Sequence, residues 1–466
     1  DQERITNAIR KAFKATKTKD GKVVKRISDE VVRVLEKKFA EEIPTVEAIQ
    51  DTVEEVLFRN GLKKVVNAYV LYREEHRKLR EKKGFIPVKE LRFGVNAIKV
   101  LQKRYLLKDE DGYIIETPSQ MFRRVASAVA KADRFYGLSD VKKTENEFYQ
   151  AMINLEFLPN SPCLMNAGTS IGQLAACFVL KVEDSLKSIF TTLRDMALIM
   201  QSGGGVGYNF SKLRPKGDIV KSTKGVASGP CSFIRIFDVA TEVIKSGGKR
   251  RGANMAVLNY DHPDILEFIT AKTKSDEYFK NFNFSVGVTD KFMEYVEKNK
   301  EYWLVNPRNG EKVKKISARA VFDLIVKSAW QCGDPGLLFL DTINKSNPLP
   351  KLGRIESTNP CGEAPLLPYE SCVLGSINLS KMVKNGKIDF KKLRKTVRIG
   401  VHFLDNVIDV NKYPLKEIED TVKANRKIGL GVMGFADMLF KLGVPYNSKR
   451  AIAIAEKVMK FITKEA

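Results

Sequence analysis

The segment Ser357-Thr358-Asn359-Pro360-Cys361-Gly362-Glu363-Ala364-Pro365 carries an amide, a thiol and a carboxylate at alternate positions, spaced by proline and glycine. Pro360, Gly362, Pro365 and the following Pro368 exclude a helix or a long strand here, so the segment is a loop. In a locally extended chain, Asn359, Cys361 and Glu363 point the same way and face one ligand. Eleven residues past Cys361 lies Ser371-Cys372-Val373-Leu374-Gly375-Ser376-Ile377-Asn378-Leu379, with another thiol. Upstream, Asn160-Ser161-Pro162-Cys163-Leu164-Met165-Asn166-Ala167-Gly168 precedes Gly172-Gln173-Leu174-Ala175-Ala176-Cys177-Phe178-Val179-Leu180, and then comes the turn Gly203-Gly204-Gly205-Val206-Gly207 before a strand expected at 208–210.

Around these motifs the chain alternates strand-like and helix-like runs. Short β-like stretches fall at 177–182, 207–210, 255–259, 282–288, 302–305 and 336–339. Helical periodicity marks 185–201, 231–246, 318–330 and 389–410. This alternation from residue 158 onward predicts an α/β domain built on a largely parallel sheet or barrel. Residues 1–84 are helical in pattern, with Ile5, Ala8, Ile9, Ala12 and Phe13 on one face. Ser28 is the expected N-cap of a helix over 29–39 and Thr45 of one over 46–59, ended by Asn60-Gly61; a further helix is expected over 63–83. Residues 85–157 are mostly helical too, clearest at 121–133 and 146–154. The expected domains are therefore 1–84, 85–157 and 158–466. The chain begins at Asp1 and stops at Ala466 inside helical patterns, which suggests a piece of a longer protein.

Composition narrows the function. The 466 residues carry a net charge of +24 and are 43% hydrophobic, enough for a sizeable core. No apolar run approaches the ~18 to 20 residues of a membrane span. No secretory signal pattern opens the chain. The basic excess is spread among acidic neighbours, as in Arg73-Glu74-Glu75-His76-Arg77, and reads as a solvated surface rather than a nucleic-acid stripe. The six cysteines, Cys163, Cys177, Cys231, Cys332, Cys361 and Cys372, form no CxxC pair and no zinc-spaced cluster, so no metal site is expected. Reduced thiols in the cytoplasm are the default. Only His76, His262 and His402 are present, which makes a histidine metal centre or a Ser-His-Asp triad hard to assemble.

The Asn359–Glu363 segment, the Gly172–Leu180 run and the Gly203–Gly207 turn, in this order, resemble the catalytic subunits of ribonucleotide reductases, in the wording of the adenosylcobalamin-dependent class. The resemblance covers about 160–466. It implies a ten-stranded α/β barrel of two half-barrels with the Cys361 loop as a central finger. It also implies the reduction of ribonucleotides, as diphosphates, to deoxyribonucleotides for DNA synthesis. Replacing a ribose 2′-OH by hydrogen needs a radical, and a cofactor must generate it. By the resemblance Cys361 is the thiyl site, Glu363 the base for the 3′-OH and Asn359 the residue that holds the sugar hydroxyls. Cys177 and Cys372 match the pair that supplies two electrons and closes to a disulfide, which a thioredoxin-like or glutaredoxin-like reductant reopens. Cys163, Cys231 and Cys332 match no role and are expected to pack. Ser161, Ala176, Gly204 and Gly205 match substrate contacts.

The resemblance also places regulation. Asp184, Ser185 and Leu186, at a helix N-terminus, match the binding site of a deoxynucleotide effector, with Arg214 and Lys221 in the loop beside it and Lys249, Arg250 and Arg251 in a second loop. It implies a homodimer whose interface uses the helices over 185–201 and 231–246. The N-terminal helices, with Asn67–Arg73 as their most typical part, resemble an ATP-cone, the family's activity-regulating, nucleotide-binding module, and the implied allosteric effectors are ATP and dNTPs. The cone's opening hairpin, the substrate-phosphate loop and a C-terminal cysteine pair are expected outside 1–466. The alternatives are the large subunit of the class that takes its radical from a partner protein, a non-catalytic nucleotide sensor, and a nucleic-acid binder.

Overall fold

The computed structural model describes residues 2–16, 20–39, 44, 46–70, 93–138, 140–219, 224–244, 252–273 and 278–466. The chain divides into two compact units, 1–118 and 119–466.

In the first unit, helices Gln2–Ala15, Gly21–Lys38, Val46–Arg59 and 63–70 close on a core of Ile9, Phe13, Ile27, Val31, Val56, Leu57 and Tyr69. The expected apolar face of the first helix is the buried one. The expected cap at Ser28 is corrected: the second helix starts at Gly21, capped by the Asp20 carboxylate, which accepts from the N–H of Lys22 and Val23. Ser28 lies mid-helix, 1% exposed, and its hydroxyl pairs with Thr6 Oγ1 at 2.6 Å. A serine in front of an apolar run resembles a cap, but here it fills a tight helix crossing. Gly61, at φ +72°, ends the third helix, and Leu62 N–H donates to Leu57 O behind it. Thr45 and the helix expected beyond residue 70 lie outside the described residues.

The second unit takes in the helix Pro118–Ala130 from Ser119 onward and then the helix Val141–Ile153. Among the described residues fourteen strands follow: β1 Phe157–Pro159, β2 Cys177–Leu180, β3 Gly205–Asn209, β4 Asn254–Asn259, β5 Phe282–Val288, β6 Glu301–Val305, β7 Lys312–Ser317, β8 Gly336–Phe339, β9 Ser357–Thr358, β10 Pro365–Leu366, β11 Ser371–Asn378, β12 Val383–Lys384, β13 Lys387–Ile388 and β14 Ile428–Met433. Eight of them form one mixed sheet in the order β1-β11-β2-β3-β4-β5-β8, with β14 on β11. From β2 to β8 every pairing is parallel. β11 and β14 are parallel to each other. β11 meets both β2 and the short β1 antiparallel, so the two parallel groups join at the antiparallel β2–β11 seam. The architecture is an α/β domain with a curled, partly open mixed sheet preceded by helical regions. Among the described residues, no helix is long and apolar enough to cross a membrane.

Alternation along the strands decides what the sheet presents. On β3, Val206 and Tyr208 face the helices, where Tyr208 packs edge-on against Phe237 at 5.2 Å. Gly205 and Gly207 face the other way. A Cβ on Gly207 would lie 1.7 Å from the carbonyl oxygen of Thr358, and one on Gly205 would lie 2.9 Å from the Pro360 ring. Glycine in a strand costs ~0.5–1 kcal/mol against alanine. Here it lets a second segment of backbone lie on the sheet. The Gly203–Gly207 motif is thus strand from Gly205 onward, with only its first part a turn.

Candidate active site

The segment that lies on β3 is the loop carrying Cys361. β9 and β10 pair antiparallel, Thr358 opposite Pro365 and Ser357 opposite Leu366, so the loop is a short hairpin with residues 359–364 at its tip. Asn359 closes the tip from both sides. Its N–H donates to Ala364 O at 3.2 Å, and its Oδ1 accepts from Ala364 N–H at 2.9 Å. Gly362, at φ +82°, donates to Asn359 O. The tip therefore turns rather than runs extended, because a proline and a positive-φ glycine flank Cys361. Two amides anchor the hairpin to the sheet: Asn283 Nδ2 on β5 donates to Pro360 O at 2.6 Å, and Asn209 Nδ2 on β3 donates to Glu356 O at 2.8 Å.

Asn359, Cys361 and Glu363 all line one cavity of about 420 Å³. The extended geometry expected for them does not hold, yet the turn brings them to the same space. Cys361 and Glu363 are exposed at the tip and Asn359 is buried. The expected contacts Ser161, Ala176, Gly204 and Gly205 line the same cavity, and so does Cys177. Asn160 and Leu374–Ser376 of β11, inside the quoted motifs, complete much of the wall with Ala253 and Met433 of β14, and none of them carries an assigned role from the sequence. The Gly429 and Gly431 alternation with Ile428, Leu430 and Val432 was the available signal for β14.

Cys177 connects the tip to the seam. Asn359 Nδ2 donates to Cys177 Sγ at 3.1 Å, and the Cys177 thiol points at Glu363 Oε1 at 3.8 Å. In the β2–β11 register, Cys177 stands opposite Cys372. Antiparallel partners have Cα atoms ~4.5–5.5 Å apart, inside the ~4.4–6.8 Å that a disulfide spans. Both cysteines are buried thiols. Burial, with the Glu363 carboxylate next, pushes the Cys372 thiol up to about 12. The same two causes hold Cys177 well above the ordinary thiol value, against the lowering effect of the Asn359 amide. Both sulfurs thus keep their protons at neutral pH, the form that can deliver a hydrogen atom. Cys163 is buried, and burial pushes it to about 12 as well. Cys231 is also buried, but Cys332 is exposed at the end of the helix Ala318–Cys332, which corrects its expected packing role.

The expected effector residues lie apart from this cavity. Ser185 caps the helix Leu186–Gln201, accepting from Ser188 N–H at 3.2 Å, and Leu186 is exposed at its first turn. Arg214 Nε grips Asp184 at 2.9 and 3.2 Å, and the Arg214 N–H donates to Asp184 Oδ1 at 3.1 Å. The two residues therefore act as one pair. Lys221, Lys249, Arg250 and Arg251 lie outside the described residues.

Residues 175–466 match the ribonucleotide reductase barrel domain, 91–172 the ribonucleotide reductase all-alpha domain, and 1–78 the ATP cone domain. A vitamin B12-dependent ribonucleoside-diphosphate reductase of Thermoplasma acidophilum is 50% identical, over 100% of this chain and 68% of that protein. One from Mycobacterium tuberculosis is 48% identical, over 100% of this chain and 67% of that protein. The large subunit of the ribonucleoside-diphosphate reductase of Vaccinia virus is 31% identical, over 83% of this chain and 53% of that protein. The chain thus spans about two thirds of the length of the first two relatives. With the barrel-domain match covering more than half of its length and a cysteine-bearing hairpin seated on a glycine strand beside two facing thiols, this chain belongs to the ribonucleotide reductase family.

Proposed function

We propose that the protein reduces ribonucleoside diphosphates to 2′-deoxyribonucleotides for DNA synthesis, with adenosylcobalamin as radical source. The observation that carries this is the convergence of Asn359, Cys361 and Glu363 on one cavity with Cys177, itself opposite Cys372. The identity to B12-dependent relatives, well above that to a viral large subunit, supports the choice of cofactor.

The residues present fit that cofactor. The cavity is lined on one side by Gly203, Gly204, Gly205, Ala176 and Ala253, which leave its wall without bulky side chains, and the Cys361 thiol is reachable at the tip. The chemistry adenosylcobalamin brings when bound is homolysis of its cobalt–carbon bond. Cys361 gives up its S–H hydrogen and then removes the ribose 3′-hydrogen. Glu363 takes the 3′-OH proton as general base. Asn359, fixed through Oδ1, keeps an Nδ2 donor directed at the site and holds the sugar hydroxyls together with Ser161. The hydroxyl leaves C2′ as water with a proton from the cysteine pair, C2′ takes a hydrogen in its place, and Cys177 and Cys372, having given up both thiol hydrogens with two electrons, become a disulfide. The hydrogen taken from C3′ returns there from Cys361. A thioredoxin-like or glutaredoxin-like reductant reopens the pair.

In the same reading the sheet completes a ten-stranded barrel of two half-barrels around the finger, as 158–466, with 1–84 an ATP-cone for ATP or a dNTP and 85–157 the helical region between. Asp184, Ser185, Leu186 and Arg214, with Lys221 and Lys249–Arg251, bind the dNTP effector. The helices Leu186–Gln201 and Pro230–Val243 form a homodimer interface, supported by exposed Leu186, Phe190, Val239 and Val243 on them. The work is done in the cytoplasm. The test is C361S in the full-length enzyme. Reduction is abolished while effector binding persists, and wild-type activity requires adenosylcobalamin. Reduction by C361S, or activity without adenosylcobalamin once a metal-bearing second subunit is added, overturns the reading.

A further inference from the structure

An ion pair between a buried carboxylate and a partly exposed lysine stands behind one of the two facing thiols. Glu370, 1% exposed, accepts from Leu367 N–H at 2.7 Å, from Asn425 Nδ2 at 2.7 Å and from Lys427 Nζ at 2.6 Å. Glu370 precedes Cys372 by two residues, and Lys427 directly precedes β14. β11 and β14 run parallel with Val373 opposite Ile428, so one step back sets Cys372 beside Lys427. Cys372 Sγ lies 3.0 Å from the place a Cβ on Gly429 would take. By strand alternation Lys427 shares that face, one repeat of ~7 Å away. Glycine at 429 leaves the sulfur space there. An ion pair with a buried member seldom adds net stability, because desolvation offsets the attraction, so this one needs another explanation.

The cavity sets an asymmetry between the two sulfurs. Cys177 lines it and Cys372 does not. An external thiol therefore reaches Cys177 first. We propose that Lys427, oriented by Glu370, is the positioning residue for Cys372 as leaving group when the Cys177–Cys372 disulfide is reopened. This rests on the proposed redox pairing of the two cysteines.

The step balances with an external dithiol as reductant. One of its sulfurs, as thiolate, bonds to Cys177 Sγ, the Cys177–Cys372 bond breaks, and Cys372 leaves with the electron pair beside the Lys427 ammonium. Cys372 then takes a proton. The second sulfur of the dithiol displaces Cys177, which also returns to the thiol, and the dithiol departs as its disulfide. Exchange is faster when the leaving thiolate is better stabilised, and Lys427 lowers the cost of charge on Cys372 while Glu370 raises it. Glu370 is thus the tether that holds the lysine in place, and it limits the size of the effect.

The experiment uses the full-length enzyme, oxidised by turnover of substrate without reductant, and 2-mercaptoethanol as the single-thiol probe. After acid quench, peptide mapping finds the adduct on Cys177. K427M slows opening on the order of tenfold, less than the roughly 50-fold of a full charge at ~7 Å in a medium of effective dielectric ~20, because only part of the charge has developed on Cys372 when the bond breaks. K427R restores it. The double variant E370M/K427M, which replaces both charges with apolar groups, opens faster than K427M, because the opposing carboxylate is gone, but stays slower than wild type. An adduct on Cys372, or K427M and the double variant opening at the wild-type rate, overturns the proposal. Failure of the wild-type thiols to join on turnover overturns the redox pairing itself, and this proposal with it.

Discussion

G207A is the sharpest test of how the hairpin is seated. The added Cβ would meet the Thr358 carbonyl oxygen at 1.7 Å and its carbonyl carbon at 2.8 Å. Both are backbone atoms, so no rotamer change relieves them. Real Cβ contacts essentially never fall under 3.0 Å, so β9 must retreat by more than 1 Å or β3 must bulge. Overpacking of this kind costs ~1–3 kcal/mol of stability. The larger effect is on catalysis. The hairpin carries Asn359, Cys361 and Glu363 as one piece, and a ~1 Å misplacement of reacting groups can cost on the order of 100-fold in rate. The assay is deoxynucleotide formation by the full-length enzyme with adenosylcobalamin and effector, beside urea unfolding. G431A is the control: its Cβ would meet nothing closer than Ser376 Oγ at 3.4 Å, so it stays near wild type. G207A with activity within about twofold of wild type would refute the argument that the glycine exists to admit the finger.

Other outcomes follow from the same structure. D20A, which removes the cap of the second helix, costs about 1 kcal/mol, whereas S28A lowers stability by about 1 kcal/mol through its lost bond to Thr6, both read by thermal unfolding; a large loss of helix start in S28A would restore the sequence expectation. Burial opposes the charge on Asp133, but donors from Thr144, Asn406 and His402 outweigh it and hold its carboxyl below the ordinary value. Its contribution is therefore full above the unfolded carboxyl value of ~3.9 and is lost as pH falls through the lower folded value; D133N removes that part of the acid dependence, and an unchanged stability–pH curve below pH 4 would count against it. D184A leaves Arg214 without its carboxylate, and the response of substrate preference to added dNTP falls about tenfold or more; an intact response would remove the pair from the effector site.

The parts of the fold read from sequence are those where local pattern and final environment agree. The strand Phe282–Val288 and the helix Phe390–Val410 are continuous apolar or amphipathic runs, and they stand where the periodicity put them. The β9–β10 hairpin was read only as a loop, because two-residue strands leave no period. β14 was missed because its alternate positions are glycine, which looks like turn chemistry and is instead room for Cys372 and Leu374. The thiol, carboxylate and amide of the tip were legible as a group from their spacing alone. Their geometry was not, since it comes from Gly362 and the Asn359–Ala364 closure. The Glu370–Lys427 pair was invisible, because 57 positions separate its members and only the parallel register joins them.

The antiparallel seam has a mechanical consequence. Cys177 belongs to one parallel group of strands and Cys372 to the other, so an oxidised pair would bolt the two groups together where they meet antiparallel. The bolt closes a loop of roughly 200 residues, which in the chain-entropy account restrains the unfolded ensemble by on the order of 5 kcal/mol. A molecule waiting for reductant would then be harder to unfold than one ready for substrate. Spent enzyme would outlast fresh enzyme under heat or protease, and its folding stability would oscillate with every catalytic cycle.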